Sequence, residues 1–110
     1  MPILQKAADT YIIWHRNLAN LERLSRYTLG EKIDHLFTDM IELILLAGYA
    51  QREQKSAVVD RASTKLDSLK FFLRLMNVTK ELPDKKYLEI SQPLAEVGKQ
   101  LGGWQKDLRK

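Results

Sequence analysis

The sequence predicts an all-α protein, an antiparallel up-down-up-down four-helix bundle, and three observations carry that expectation. Apolar residues recur at alternating spacings of three and four through four long segments, the breaks between segments are short, and no stretch alternates with the period of two that marks a strand. A chain of 110 residues builds one modest core, because a domain near this size buries only about two-thirds of the surface its unfolded chain exposes. Residues 1–110 therefore read as a single domain.

In the first segment, Leu4, Ala7, Tyr11, Trp14, Leu18 and Leu21 form the core stripe of a helix over 3–24. The stretch Arg26-Tyr27-Thr28-Leu29-Gly30 is a break and a restart. Thr28 with Glu31 three residues later matches a capping box, in which hydroxyl and carboxylate reciprocally satisfy the free backbone donors of a helix start. The second helix then runs over 29–50 on Leu29, Ile33, Leu36, Phe37, Met40, Ile41 and Ile44, with Leu43, Leu45 and Leu46 outside that stripe.

The third helix, over 53–80, carries Val58 or Val59, Ala62, Leu66, Leu69, Leu73 and Met76 on one side. Phe71, Phe72, Leu75 and Val78 widen its apolar surface beyond what one core needs. Pro83 disfavours a helical Leu82 and Asp84 can cap a new helix start, so the fourth helix covers 84–108 on Tyr87, Ile90, Leu94, Val97, Leu101, Trp104 and Leu108. Pro93 removes one backbone bond inside it and predicts a kink near 89–93 rather than two helices. Large apolar patches are rarely left in water. The spare surface on helices two and three therefore predicts an oligomer, with Leu43, Leu46, Phe71 and Leu75 at its interface.

Composition excludes several function classes. With no cysteine there is no disulfide, thiolate metal site or thiol nucleophile. No window is long and apolar enough to cross a membrane, and Met1 to Lys6 lack the features of a secretory leader, which together predict a cytoplasmic protein. There is no phosphate-binding glycine loop, and His15 and His35 lie on different helices without a Glu-x-x-His or His-x-x-x-His companion. Asp39 and Glu42 resemble half of a carboxylate metal motif but lack its histidine. A catalytic site, a metal and a cofactor are all unexpected.

The formal net charge is +4 with a pI near 9.4, and the excess is uneven: residues 25–50 carry −2 and residues 51–82 carry +3. Within the third helix, Arg61 with Lys65 and Lys70 with Arg74 are like-charged pairs four residues apart. Such pairs repel by a few tenths of a kcal/mol, which a polyanion or an acidic partner would relieve. Glu53, Asp60 and Asp67 lie near enough to damp the patch, and a plain solvated face stays open. Trp14, Phe37, Tyr87 and Trp104 sit on core stripes, whereas Tyr27 and Tyr49, near helix ends, are the rings available for base stacking.

Three glycines in Val97-Gly98-Lys99-Gln100-Leu101-Gly102-Gly103-Trp104-Gln105-Lys106 interrupt no part of the fourth stripe. Glycine costs a helix interior roughly 1 kcal/mol, so a compensating contact is expected. Ala95, Gly98 and Gly102 share one face beside Gly103, a small-residue strip against which a neighbouring helix can pack closely while Trp104 packs to its side. A frayed C-terminal cap and a ligand surface are the alternatives.

The blocks RYTLG at 26–30, KLDSLKFFLRL at 65–75 and VGKQLGGWQK at 97–106 resemble, in order and spacing, one four-helix-bundle family. It holds the accessory variability determinant of diversity-generating retroelements (bAvd-like) and the proteins encoded by 23S ribosomal RNA intervening sequences. The resemblance covers essentially the whole chain, and Leu101-Gly102-Gly103-Trp104 is its most specific part. It implies a homopentameric barrel and a non-enzymatic accessory protein whose basic surface binds RNA or DNA and a reverse transcriptase to support mutagenic reverse transcription. Carried over by motif, Arg61, Lys65, Lys70 and Arg74 are the leading contacts, with Lys99 and Lys106 secondary. Two positions depart from the family pattern. Lys70 stands where arginine is frequent, offering a point charge instead of a planar fork, and Pro93 falls in a usually uninterrupted helix. The alternative function is an oligomeric scaffolding bundle with a protein partner and no retroelement role.

Overall fold

The computed structural model describes every residue from Met1 to Lys110. Four long helices pack into an elongated bundle of 44 × 21 × 20 Å, and there is no strand. Helix α1 spans Pro2–Leu18, α2 Glu31–Tyr49, α3 Arg52–Val78 and α4 Asp84–Leu108. At 1.5 Å per residue, the longest of them sets the long dimension at about 40 Å.

Helix α1 opens on Pro2, whose fixed φ suits a first helical position. It ends at Leu18, six residues earlier than the apolar stripe predicts. The Asn17 and Asn20 side-chain amides donate back to the Ile13 and Arg16 carbonyls, offering local alternatives to the helical ladder. Leu21 still joins the core, but from a turn rather than a helix.

The capping box at Thr28 and Glu31 does not form. A single helical turn, Arg23–Ser25, runs into a π-helical segment, Arg26–Gly30, which continues directly into α2. With backbone already helical ahead of it, residue 28 marks no helix start and has no free donors to satisfy. The Thr28 hydroxyl donates instead to the Leu24 carbonyl at 2.8 Å. Gly30 is buried at the end of this segment, where a Cβ would stand 2.8 Å from the Ser25 carbonyl oxygen and 3.1 Å from Leu18 Cδ1. Only glycine permits that approach without displacing backbone.

Each long helix contributes its apolar stripe to one core, with Trp14, Phe37, Met40, Leu69, Leu73 and Leu94 among its fully buried side chains. Trp14 stacks on Phe37 with centroids 6.2 Å apart, and Tyr11 meets the same ring edge-on at 5.6 Å. One oxygen of Asp34 accepts from both Tyr11 Oη at 2.8 Å and Trp14 Nε1 at 3.1 Å. Burial, the hydrogen bond to Asp34 and the Asp34 charge together push the Tyr11 hydroxyl up to about 12. No buried side-chain nitrogen or oxygen lacks a partner.

The α3–α4 corner turns through Lys80, which holds a left-handed φ of 66°, and the Glu81 and Leu82 amides both bond the Met76 carbonyl. The Glu81 carboxylate accepts from the Ser25 hydroxyl and the Thr79 hydroxyl, each at 2.5 Å. This corner is thereby tied to the segment ahead of α2. Asp84 lies inside the first turn of α4 instead of capping it, and takes a hydrogen bond from Asn77. Pro93 leaves α4 one continuous helix.

Candidate nucleic-acid and partner interface

The four basic residues of α3 do not form one patch. At about 100° per residue, the nine steps from Arg61 to Lys70 bring them to opposite sides of the helix, and the contacts agree. Lys65 Nζ lies 3.5 Å from Asp39 of α2. Arg61 and Lys65 line a hollow of about 220 Å³ together with Asp39, Glu42, Leu43 and Leu46. Two acids face two bases there, so this flank is close to charge-balanced.

Lys70 lies on the other flank, where its Nζ would be 3.4 Å from a Cβ on Gly98 of α4. Lys70 and Arg74 are exposed, and neither takes part in any ion pair. On α4, Lys99 and Lys106 are also exposed and, seven residues apart, share one side of the helix. Lys99 pairs only with Glu96 one turn earlier, at 3.5 Å, a surface contact worth little. The α3–α4 face thus presents Lys70 and Arg74 on one helix and Lys99 and Lys106 on the other.

The small residues lie on α4 close to Lys99 and Lys106, and most of them are not closely packed. Gly98 touches Leu66 and Lys70 at ordinary contact distance, but a Cβ on Gly102 or Gly103 would meet no atom within 4 Å. Gly102 and Gly103 are exposed, and Ala95 is exposed with them. The expected close approach of a neighbouring helix along this strip is therefore absent within the chain, since α3 passes beside Gly98 and leaves the outer turn free. Trp104 is half-buried and packs against the core as expected.

The residues expected at an oligomer interface also separate. Leu43 is 5% exposed and belongs to the core, because its position turns it inward between α2 and α3. Leu46 remains 49% exposed and Phe71 59%, with Leu75 half-buried near Phe71 along α3. His15 and His35 are exposed, and no three His, Asp or Glu side chains converge in a metal-binding group.

The sequence picks out Tyr27 as an available ring but not its partner, Arg23. The Arg23 guanidinium lies 5.8 Å from the Tyr27 ring centroid, and Tyr27 is 65% exposed on the π-helical segment. Their spacing of four residues is the available signal; it requires helical backbone across a stretch that reads as a break.

A family model for bAvd-like proteins matches residues 1–108. No curated protein matches the chain. The match spans all four helices, the RYTLG and LGGW blocks and both groups of surface cations, and the chain belongs to the bAvd-like family.

Proposed function

We propose that this protein is a non-enzymatic accessory factor that binds nucleic acid and a reverse transcriptase, and that its nucleic-acid surface is the α3–α4 face. The observation that carries this reading is the contrast in charge pairing: Lys70 and Arg74 have no acidic partner, whereas Lys65 is held by Asp39. Unpaired cations release counterions when they meet phosphates, and that release drives binding. A Cβ on Gly102 or Gly103 would meet nothing, so the turn of α4 between Lys99 and Lys106 is open. Membership of the bAvd-like family supports the accessory role, and a chain without cysteine suits a reducing cytoplasm.

We infer a single domain over 1–110 in which successive helices run antiparallel. The pairs Lys65 with Asp39 and Lys55 with Ala47 support this order for α2 and α3, and Gly98 with Leu66 and Gln105 with Asp60 support it for α3 and α4. The homopentamer is part of the same proposal, with exposed Leu46 and Phe71 as its apolar contacts. Light scattering of the purified protein tests it, and a monomer would contradict it.

RNA and DNA binding across a salt series, with Lys70→Glu/Arg74→Glu compared against Arg61→Glu/Lys65→Glu, tests the surface. The expected result is weaker binding and a shallower salt slope in the first variant alone. A second reading is a scaffolding oligomer with a protein partner, favoured by the exposed Leu46, Phe71 and Val78. Wild-type protein without affinity for either polymer at moderate salt would select it.

A further inference from the structure

We propose that Tyr27 is a base-stacking platform for single-stranded nucleic acid, separate from the α3–α4 cations. The proposal rests on the nucleic-acid-binding function for its class of ligand but on different residues and a different interaction. An exposed tyrosine is ordinary by itself; four features of this one point to a ligand.

The ring is presented by helical backbone rather than by a loose loop, since Arg26–Gly30 forms a π-helical segment continuous with α2. That segment is pinned at both ends. Gly30 is buried against the Ser25 carbonyl and Leu18, and the Ser25 hydroxyl is held by Glu81 from the far side of the α3–α4 corner. A platform already fixed in place loses little conformational entropy when a base settles on it.

Arg23 lies over the ring at 5.8 Å, while Tyr27 retains 65% of its surface in water. A cation against one part of a π face leaves the remainder for a flat partner, and guanidinium, phenol and nucleobase stack in any order. Tyr27 also stands between two open hollows. One, of about 410 Å³, includes Arg26; the other, of about 260 Å³, includes Lys32 and His35. A base on the ring would therefore have a cation lining the hollow on each side, Arg26 in one and, in the other, Lys32, whose ammonium rests 5.7 Å from the Phe72 ring centroid.

Glu31 lines both hollows, and Asp34 lines the larger. Asp34 is occupied by Tyr11 and Trp14, but the exposed Glu31 carboxylate repels a phosphate placed directly beside the ring. That disfavours a duplex, whose base faces are already stacked inside it and whose outer surface is lined by phosphates, and favours an unpaired base.

Fluorescence anisotropy with short dye-labelled oligonucleotides tests the proposal, using one RNA sequence as a single strand and as a duplex. Tyr27→Ala is expected to weaken single-strand binding by roughly 5- to 50-fold, with the salt slope unchanged because no charge is removed. Tyr27→Phe, which keeps the ring, is expected to bind like the wild type, and duplex binding is expected to be the same in all three proteins. Unchanged single-strand binding by Tyr27→Ala overturns the proposal, as does equal weakening for single strand and duplex, or equal weakening in the Phe and Ala variants. If Lys70→Glu/Arg74→Glu abolishes binding and Tyr27→Ala does not weaken it, the α3–α4 surface stands and this platform falls. The reverse pattern sustains the platform and removes the α3–α4 assignment. Wild-type protein that binds neither polymer defeats both.

Discussion

The two basic pairs of α3 carry the same formal charge and meet different neighbours. Toward α2, Arg61 and Lys65 share a hollow with Asp39 and Glu42, and Lys65 pairs with Asp39 at 3.5 Å. Toward α4, Lys70 approaches Gly98, and Lys70 and Arg74 are both exposed, with Asp67 one turn before Lys70. A count of basic residues along a helix says little about its electrostatic face until each residue's angular position and its neighbour's sequence are known. Here an angular separation of a half-turn divides a pair that faces the α2 carboxylates from a pair that takes part in no ion pair.

The largest effect that can break this comparison comes from charge reversal on the open flank. Lys70→Glu/Arg74→Glu is expected to lower nucleic-acid affinity more than about tenfold and to reduce the logarithmic salt slope by about two, one for each phosphate no longer neutralised. Arg61→Glu/Lys65→Glu is expected to change affinity by less than about threefold, because Lys65 already pairs with Asp39 and Arg61 shares its hollow with Asp39 and Glu42. Equal effects in a salt titration would show that the Asp39 and Glu42 carboxylates do not neutralise their flank.

The carboxylates of α2 allow a sharper test, because Asp34 faces α1 and Asp39 faces α3. Tyr11→Phe removes one of the two donors to Asp34 and is expected to cost roughly 1 kcal/mol in chemical denaturation. Its pH dependence has a definite sign. The folded state holds the Tyr11 proton more tightly, up to about 12 against an ordinary 10.0. The stability tied to Tyr11 is therefore complete below pH 10.0 and is lost as pH rises through about 12. Tyr11→Phe should flatten that decline, and an unaltered alkaline unfolding curve would contradict the role given to this hydrogen bond.

Gly102→Ala probes the open α3–α4 face. Helix propensity alone is expected to raise monomer stability by roughly 0.5–1 kcal/mol, since the added methyl meets nothing. A lower melting temperature would mean that another surface covers this turn in the assembled protein. The smallest effect is expected from Asp39→Asn, which frees Lys65: about 0.5 kcal/mol or less in stability, with a slight gain in nucleic-acid affinity at low salt. Weakened binding in that variant would reverse the proposed contribution of the α2–α3 seam.

Much of this fold is legible in the sequence because the apolar stripes are long and regular. Ile33 to Ile44, Val59 to Met76 and Ile90 to Leu101 enter the core as their spacing predicts. Near Leu21 the stripe is correct and the helix is not, since asparagine side chains compete for backbone carbonyls in a way that periodicity does not register. The RYTLG block shows the converse: its polar residues match a capping pattern, yet continuous helical backbone before Thr28 removes the need for a cap. The division of the α3 cations is partly readable, because nine residues amount to two and a half turns and so reach the opposite side of the helix. Their neutralisation by Asp39 is not, because it depends on the register between two helices. The glycines of α4 read as a packing strip because their helical cost needs a return, but Gly102 and Gly103 obtain none inside the chain.

The Glu81 carboxylate joins Ser25 to a residue 56 positions away. A clasp of that span holds only while both segments it joins are folded. The backbone amides of residues 23–30 should therefore exchange with solvent deuterium in step with the α3–α4 corner, and not by independent fraying. Loosening either end of the clasp would turn this stretch from a fixed mount into a separate unit of local unfolding.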